Sequence, residues 1–189
     1  MGADNFSCRE SDWRAGAVVY QVMVDRFAPA TELGAKEQHY TAPRRLRPWE
    51  QVPRRGRYLP DEGVWSHELD FWGGDLQSLA GRLEHVRELG ATVLYLNPIF
   101  DALTNHKYDT VDYLRVSPEY GDREDLRALT ERFHDLGVRL VLDGVFNHVS
   151  RRHPSLQEAP AMFTRDAGSP GGVLCWWDVA NLPELRWED

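Results

Sequence analysis

Apolar residues along this chain fall into short continuous runs and longer stripes with helical spacing. Three runs stand out: residues 17–24 (AVVYQVMV), 92–96 (TVLYL) and 138–142 (VRLVL). Each is rich in β-branched or aromatic residues, which predicts strands buried on both faces of a parallel sheet. Two stripes separate the later runs. In the first, Asp75 is placed to cap a helix whose Leu76, Leu79, Leu83, Val86 and Leu89 share one face. Gly90 follows, able to take the left-handed conformation that ends a helix. The second repeats the design, with Asp122 as cap, Leu126, Leu129, Phe133 and Leu136 as stripe, and Gly137 as terminator. The order is strand, long insertion, helix, strand, loop, helix, strand. That alternation predicts an α/β fold with crossover helices and a parallel sheet.

Two stretches stand outside the alternation. Residues 28–70 form an insertion rich in Pro, Arg, Glu and Gly, with Trp49 and Trp65 scattered through it. A connection that long is expected to be functional or partly disordered. Beyond Ser150 the periodicity fades, and Pro154, Pro160, Pro170, Pro183 and the Gly171-Gly172 pair predict irregular structure with room for one short helix. Residues 1–150 thus read as the main unit and residues 151–189 as the start of a separate, irregular one.

Composition narrows the function classes. The chain has 189 residues, enough for one real core, and a net charge of -8. An acidic chain is a poor partner for a phosphate backbone, so no nucleic-acid role is expected. The clusters Arg44-Arg45-Leu46-Arg47 and Arg54-Arg55-Gly56-Arg57 read as solvated loop. Cys8 and Cys175 lie far apart, with neither metal spacing nor a disulfide framework. No apolar stretch approaches the roughly 18 residues of a membrane-spanning helix. Residues 1–10 lack a positive flank followed by an apolar run, so a cytoplasmic location is expected.

Active sites of parallel α/β proteins gather at the carboxyl ends of the strands. Asp25-Arg26-Phe27 follows the first run. The second is followed by Asn97-Pro98-Ile99-Phe100 and then Asn105-His106-Lys107-Tyr108-Asp109, and the third by Asp143-Gly144-Val145-Phe146-Asn147-His148. Carboxylates, amides and imidazoles bind hydroxyls, while an aromatic ring covers an apolar C–H face. The mixture suits a sugar.

These residues carry a resemblance. Asp143-Gly-Val-Phe-Asn147-His148 is similar to the first signature of the α-amylase family, glycoside hydrolase family 13. Tyr20-Gln21 with Asp25-Arg26-Phe27 resembles the end of that family's first strand, and Gly73-Gly74-Asp75-Leu76 its approach to the first helix. The segments from His106 to Thr110 and Asp112-Tyr113, with Leu182-Pro183-Glu184-Leu185, resemble the neopullulanase, cyclomaltodextrinase and maltodextrin glucosidase branch. The resemblance runs from about Trp13 to the end of the chain.

It implies a partial (β/α)₈ TIM barrel, namely the first three βα units with the start of an inserted domain after strand three. It implies an α-glucan oligosaccharide as partner, such as a maltodextrin or cyclodextrin. Tyr108 would stack on the sugar and His148 would bond one of its hydroxyls. Asp143 would hold the polar network beneath, and Asn147 would support the adjoining loop. For His106 and Asp109, sugar contact and mere loop shaping both stay open. Trp176 and Trp177 could form a sugar platform, but buried packing is the more usual use of such large apolar side chains.

Two departures matter. Calcium-binding members carry an Asn/Asp-rich loop soon after the first strand, whereas residues 28–33 here read APATEL. Calcium prefers about six to eight oxygens, so no metal and no other cofactor are expected. Retaining glycosidases need two carboxyl groups about 5 Å apart, and in the family these follow the fourth and fifth strands. None of the carboxylates present stands in those motifs, so no catalytic residue is assigned and the chain alone is expected to be inactive. The alternative is a non-catalytic sugar-binding or interaction module.

Overall fold

The computed structural model describes residues 9–187; Cys8 lies outside them. In chain order the regular elements are β1 (Val19–Val22), β2 (Arg45–Leu46), β3 (Tyr58–Leu59), β4 (Val64–Trp65), β5 (Asp70–Phe71), α1 (Leu76–Ala80), α2 (Leu83–Glu88), β6 (Val93–Leu96), β7 (Phe100–Ala102), β8 (Thr110–Val116), α3 (Arg123–Asp135), β9 (Arg139–Leu142) and α4 (Ser155–Glu158). The three apolar runs supply a parallel sheet in the order β1-β6-β9. Its register sets Tyr20, Leu94 and Leu140 side by side, then Gln21, Tyr95 and Val141, then Val22, Leu96 and Leu142.

Alternation along the strands decides which face is covered. Val22, Leu94 and Leu96 pack with Leu76, Leu79, Leu83 and Val86 from α1 and α2 and with Leu129 and Phe133 from α3. Tyr20 and Leu140 join this cluster partly buried. Each large side chain so covered contributes about 1.5–3 kcal/mol. The other face carries Val19, Gln21, Tyr95 and Val141. Burial on both faces therefore holds only for most of the central strand β6. On the flanking strands Val19 is 57% exposed and Leu142 is 38% exposed, because each of them has a strand neighbour on one side alone.

Both helix caps form as the sequence predicts. The Asp75 side chain accepts from the Ser78 N–H, and that of Asp122 from the N–H groups of Glu124 and Asp125. Gly90 and Gly137 take φ of 72° and 73°. The first stripe breaks into two helices at Gly81 and Arg82, since an interior glycine weakens a helix by about 1 kcal/mol relative to alanine. Beyond the break Leu89 turns outward.

The insertion is ordered. It forms a 3₁₀ segment at Leu33–His39, an antiparallel β3–β4 pair and a parallel β2–β5 pair. A small core of Val64, Leu69 and Leu103 anchors it. Arg54, Arg55 and Arg57 are exposed, as a solvated loop requires, but the first arginine cluster is paired. Arg44 pairs with Glu119 and covers the Phe71 ring, while Arg45 and Arg47 both pair with Asp70. The segment between the second strand and second helix, read as loop, contains the antiparallel β7–β8 hairpin.

The last stretch is short of helix but is not formless. Antiparallel bridges join His148 to Glu184, Phe163 to Leu185, Arg165 to Val173 and Cys175 to Pro183. They enclose a second core of Val149, Phe163, Val173 and Cys175, against which Leu156 and Leu185 pack.

Candidate functional site

The ladder of the parallel sheet runs one residue past its strands. Asn97 N–H donates to Val22 O at 2.9 Å, and Asp143 N–H donates to Leu96 O at 3.0 Å. Both side chains therefore emerge at the carboxyl edge in fixed positions. Asn97 accepts from Gln21 Nε2 at 2.8 Å. Asp143 accepts from the Tyr108 hydroxyl at 2.8 Å, reaching across from the loop between β7 and β8. Burial raises the pKa of the Tyr108 phenol well above its ordinary value, and Asp143 adds to the effect. The same two causes, burial first, raise Tyr95 on β6.

What aims Tyr108 is the burial of its neighbours. Lys107 is fully buried and left-handed, with φ of 63°. Its ammonium pairs with buried Glu119, which Arg44 also holds. The Phe71 and Tyr120 rings lie 5.1 Å and 5.0 Å from it. Burial alone would raise the Glu119 carboxyl, but Lys107 and Arg44 outweigh it and hold the group down at about 2. On the other side, buried Asp109 accepts from Thr104 and from Asn181 Nδ2 at 2.9 Å. With its neighbours pinned inward, Tyr108 is left facing the cleft. Asp109 shapes the loop, whereas His106 lines a cleft.

His148 is held through both ring nitrogens. Nε2 lies 3.1 Å from the Tyr108 carbonyl oxygen, which can only accept, so Nε2 carries the proton. Nδ1 is then an acceptor and faces Asn147 Nδ2 at 3.3 Å. Burial lowers the imidazole pKa and keeps the ring neutral. Its backbone is fixed by the Leu182–Leu185 stretch, where Val149 N–H donates to Pro183 O and Leu185 N–H to Asn147 O, at 3.1 Å and 3.0 Å. The Tyr113 hydroxyl donates to the Val145 carbonyl within the same loop.

Tyr108, Asp143, Asn147 and His148 all line one cleft of about 460 Å³. A second cleft of about 400 Å³ shares Tyr108 and His148 and adds Val64 and Glu68 from the insertion, with His106, Trp176, Trp177 and Asn181. Trp177 is 81% exposed, which corrects the expectation that both tryptophans are buried packing. Its ring stacks on Trp176 at 5.2 Å, and Trp176 stacks on His148 at 6.0 Å.

Asp25 and Asp75 serve the scaffold. Asp25 is buried and accepts from the Trp72 and Gly73 N–H groups at 3.0 Å. Burial raises its pKa against those bonds. A Cβ on neighbouring Gly74 would lie 2.2 Å from the Val24 carbonyl oxygen, so the approach to α1 needs glycine there. Asp75 divides its carboxylate between the helix cap and Lys36. Among the described residues, no group of three or more His, Cys, Asp or Glu side chains is arranged to hold a metal ion.

A tyrosine, a carboxylate, an amide and a neutral imidazole beside stacked indoles at the carboxyl edge of a parallel sheet define a class of α/β protein whose sheet edge carries groups able to bond hydroxyls and to cover an apolar ring face. Comparison with known proteins gives that class a family. Residues 21–167 match the family model described as alpha amylase, catalytic domain. The chain is 38% identical over 181 residues to an intracellular maltogenic amylase of Bacillus subtilis, covering 96% of this chain and 26% of that protein. It is 39% identical over 172 residues to a cyclomaltodextrinase of Geobacillus thermopakistaniensis, covering 91% and 25%. Among solved structures, the cyclic alpha-maltosyl-(1→6)-maltose hydrolase of Arthrobacter globiformis superposes with a TM-score of 0.75 at 30% identity, covering 94% of this chain and 39% of that one. The chain belongs to the α-amylase family, in the neopullulanase and cyclomaltodextrinase branch. It spans about a quarter of the length of these two curated relatives.

Proposed function

We propose that this chain supplies the sugar-holding edge of an α-glucan-acting glycosidase and does not cleave a glycosidic bond by itself. The observation that carries the reading is the convergence of Tyr108, Asp143 and His148 at the carboxyl edge of the parallel sheet. The phenol ring offers a face for the apolar side of a glucose ring. Neutral His148 offers Nδ1 as acceptor to a hydroxyl, which would replace the long 3.3 Å contact from Asn147. Asp143 holds Tyr108 in place and Asn147 steadies the loop. In this reading, residues 1–150 are the first three βα units of a (β/α)₈ barrel, and residues 151–189 begin the domain inserted after the third strand. The cytoplasm is the matching location: no helix among the described residues is long and apolar enough to cross a membrane, and one relative is named intracellular.

The carboxylates of the clefts support the non-cleaving half of the proposal. Asp143 is occupied by the Tyr108 hydroxyl. For Glu68, burial would raise the pKa, but His106 and the Trp65 N–H outweigh it, so the group is lowered and is no proton donor at neutral pH. In this reading neither carboxylate belongs to the pair that protonates and attacks. Calorimetry with maltotriose, run beside a reducing-sugar assay, tests both halves. Binding that Tyr108→Ala abolishes, with no sugar released above a blank, is the expected result. Turnover near even the low end of ordinary enzyme rates, about 1 per second, overturns it.

A further inference from the structure

The insertion and the last stretch of the chain enclose a third cavity, of about 600 Å³, which shares no lining residue with the two clefts at the sheet edge. Its apolar wall includes Leu156, Val173 and Pro183. Val173 is part of the second core, and Leu156 packs against that core from α4, so the wall is backed by fixed structure. Tyr58 adds an aromatic ring, braced edge-on by Trp65 across the β3–β4 pair at 5.8 Å. The charged residues of the lining are Arg151 and Arg165; among the described residues, none that lines the cavity is acidic.

Two cations facing one cavity run against a net charge of -8. Neither arginine forms an ion pair among the described residues. Carboxylates near them in the chain or in space are engaged elsewhere. Glu62 pairs with Arg152, and Asp166 accepts from the Gly168 N–H and the Ser169 hydroxyl. Both arginines sit on fixed backbone: Arg151 N–H donates to Asn181 O at 3.1 Å, and Arg165 faces Val173 in an antiparallel bridge. The Arg151 guanidinium also has a cleared seat, since a Cβ on Gly63 would lie 3.1 Å from its Nη1. Like charges sharing a cavity repel, and the guanidinium fork matches the oxygens of a phosphate two at a time. Inorganic phosphate would leave most of the volume empty, whereas sites for small organic molecules span about 300–1,000 Å³.

We propose that this cavity binds the phosphate monoester of a ring compound, a sugar phosphate or a nucleotide. Its dianionic head would lie between Arg151 and Arg165, and its ring against Tyr58 and the Leu156–Val173 wall. The inference does not depend on the sugar-binding reading of the sheet edge.

Glucose 6-phosphate, AMP, inorganic phosphate and glucose are titrated calorimetrically into the full chain at low salt, where charges are least screened. The variants are Arg151→Gln, Arg165→Gln, Tyr58→Ala and, as a charge control, Arg132→Gln on α3; circular dichroism checks that each is folded. At least one ester should bind about tenfold more tightly than inorganic phosphate, and glucose should not compete with it. Arg151→Gln and Arg165→Gln should each weaken that ester by about tenfold, the size of one charge-assisted hydrogen bond. Tyr58→Ala should weaken the ester by about three- to tenfold and leave inorganic phosphate unchanged. Arg132→Gln should bind as wild type. The proposal is overturned if neither ester binds the folded wild type, if neither binds more tightly than inorganic phosphate, or if Arg132→Gln weakens binding as much as the cavity arginines do. Maltotriose binding at the sheet edge is measured alongside, and its loss or survival bears on the earlier reading alone.

Discussion

Replacing Lys107 with Met removes one positive charge from the buried cluster behind Tyr108 and keeps most of the side-chain volume. Glu119 then retains Arg44 as its only cationic partner of the two. Losing one member of a buried pair costs about 3–5 kcal/mol, and the surviving arginine places this variant near the lower end. The pH dependence follows from the direction of the Glu119 shift. Glu119 is held at about 2 against an ordinary 4.5. The folded value lies below the unfolded one. The stabilisation is therefore fully present above about pH 4.5 and drains away as pH falls toward 2. Urea denaturation of the wild type and Lys107→Met at pH 7 and pH 3 reads both effects. The variant should lose about 3 kcal/mol at pH 7 and clearly less at pH 3. A loss below about 1 kcal/mol at pH 7, or one that does not vary with pH, would refute the account of the cluster.

Three further outcomes follow from named contacts. Gly74→Ala places its Cβ against the rigid Val24 carbonyl, and should destabilise by at least the 1–3 kcal/mol typical of overpacking, read as a lowered urea midpoint. His148 and His153 both have pKa values lowered by burial. The unfolded chain then binds protons more readily, so stability should decline as pH falls below about 6.5, and the double variant with Gln at both positions should flatten that limb. Tyr108→Phe removes the bond to Asp143 yet keeps the ring, so maltotriose affinity should fall by no more than about threefold while Tyr108→Ala loses it; equal losses would show that the hydroxyl, not the ring face, does the binding.

The sequence was most informative where one physical rule acted alone. Caps at Asp75 and Asp122, terminators at Gly90 and Gly137, and the three parallel strands were legible because local hydrogen bonding and periodicity settle them. So was the gathering of Tyr108, Asp143, Asn147 and His148, since a motif at a strand end fixes its own position. Burial of the outer strands was overread, because an apolar run cannot say how many neighbours its strand has. The β7–β8 hairpin lay hidden in a segment read for its chemistry, although Thr110–Val116 is rich in strand formers. The pairing of Arg44 with Glu119 joins residues 75 positions apart, and no local pattern encodes it. Trp177 was misjudged because large apolar side chains are usually buried, and the left-handed turn that exposes this one has no glycine to announce it.

Saturation-transfer NMR with maltotriose tests the central claim, that Tyr108 and His148 hold a sugar ring at the carboxyl edge of the sheet. Irradiating the aromatic protons of the folded chain should pass saturation to the C–H protons of the sugar rings. Tyr108→Ala and His148→Ala should each abolish the transfer to the ring at that site. A well-dispersed wild-type spectrum with no transfer, or transfer that survives in both variants, would contradict the account.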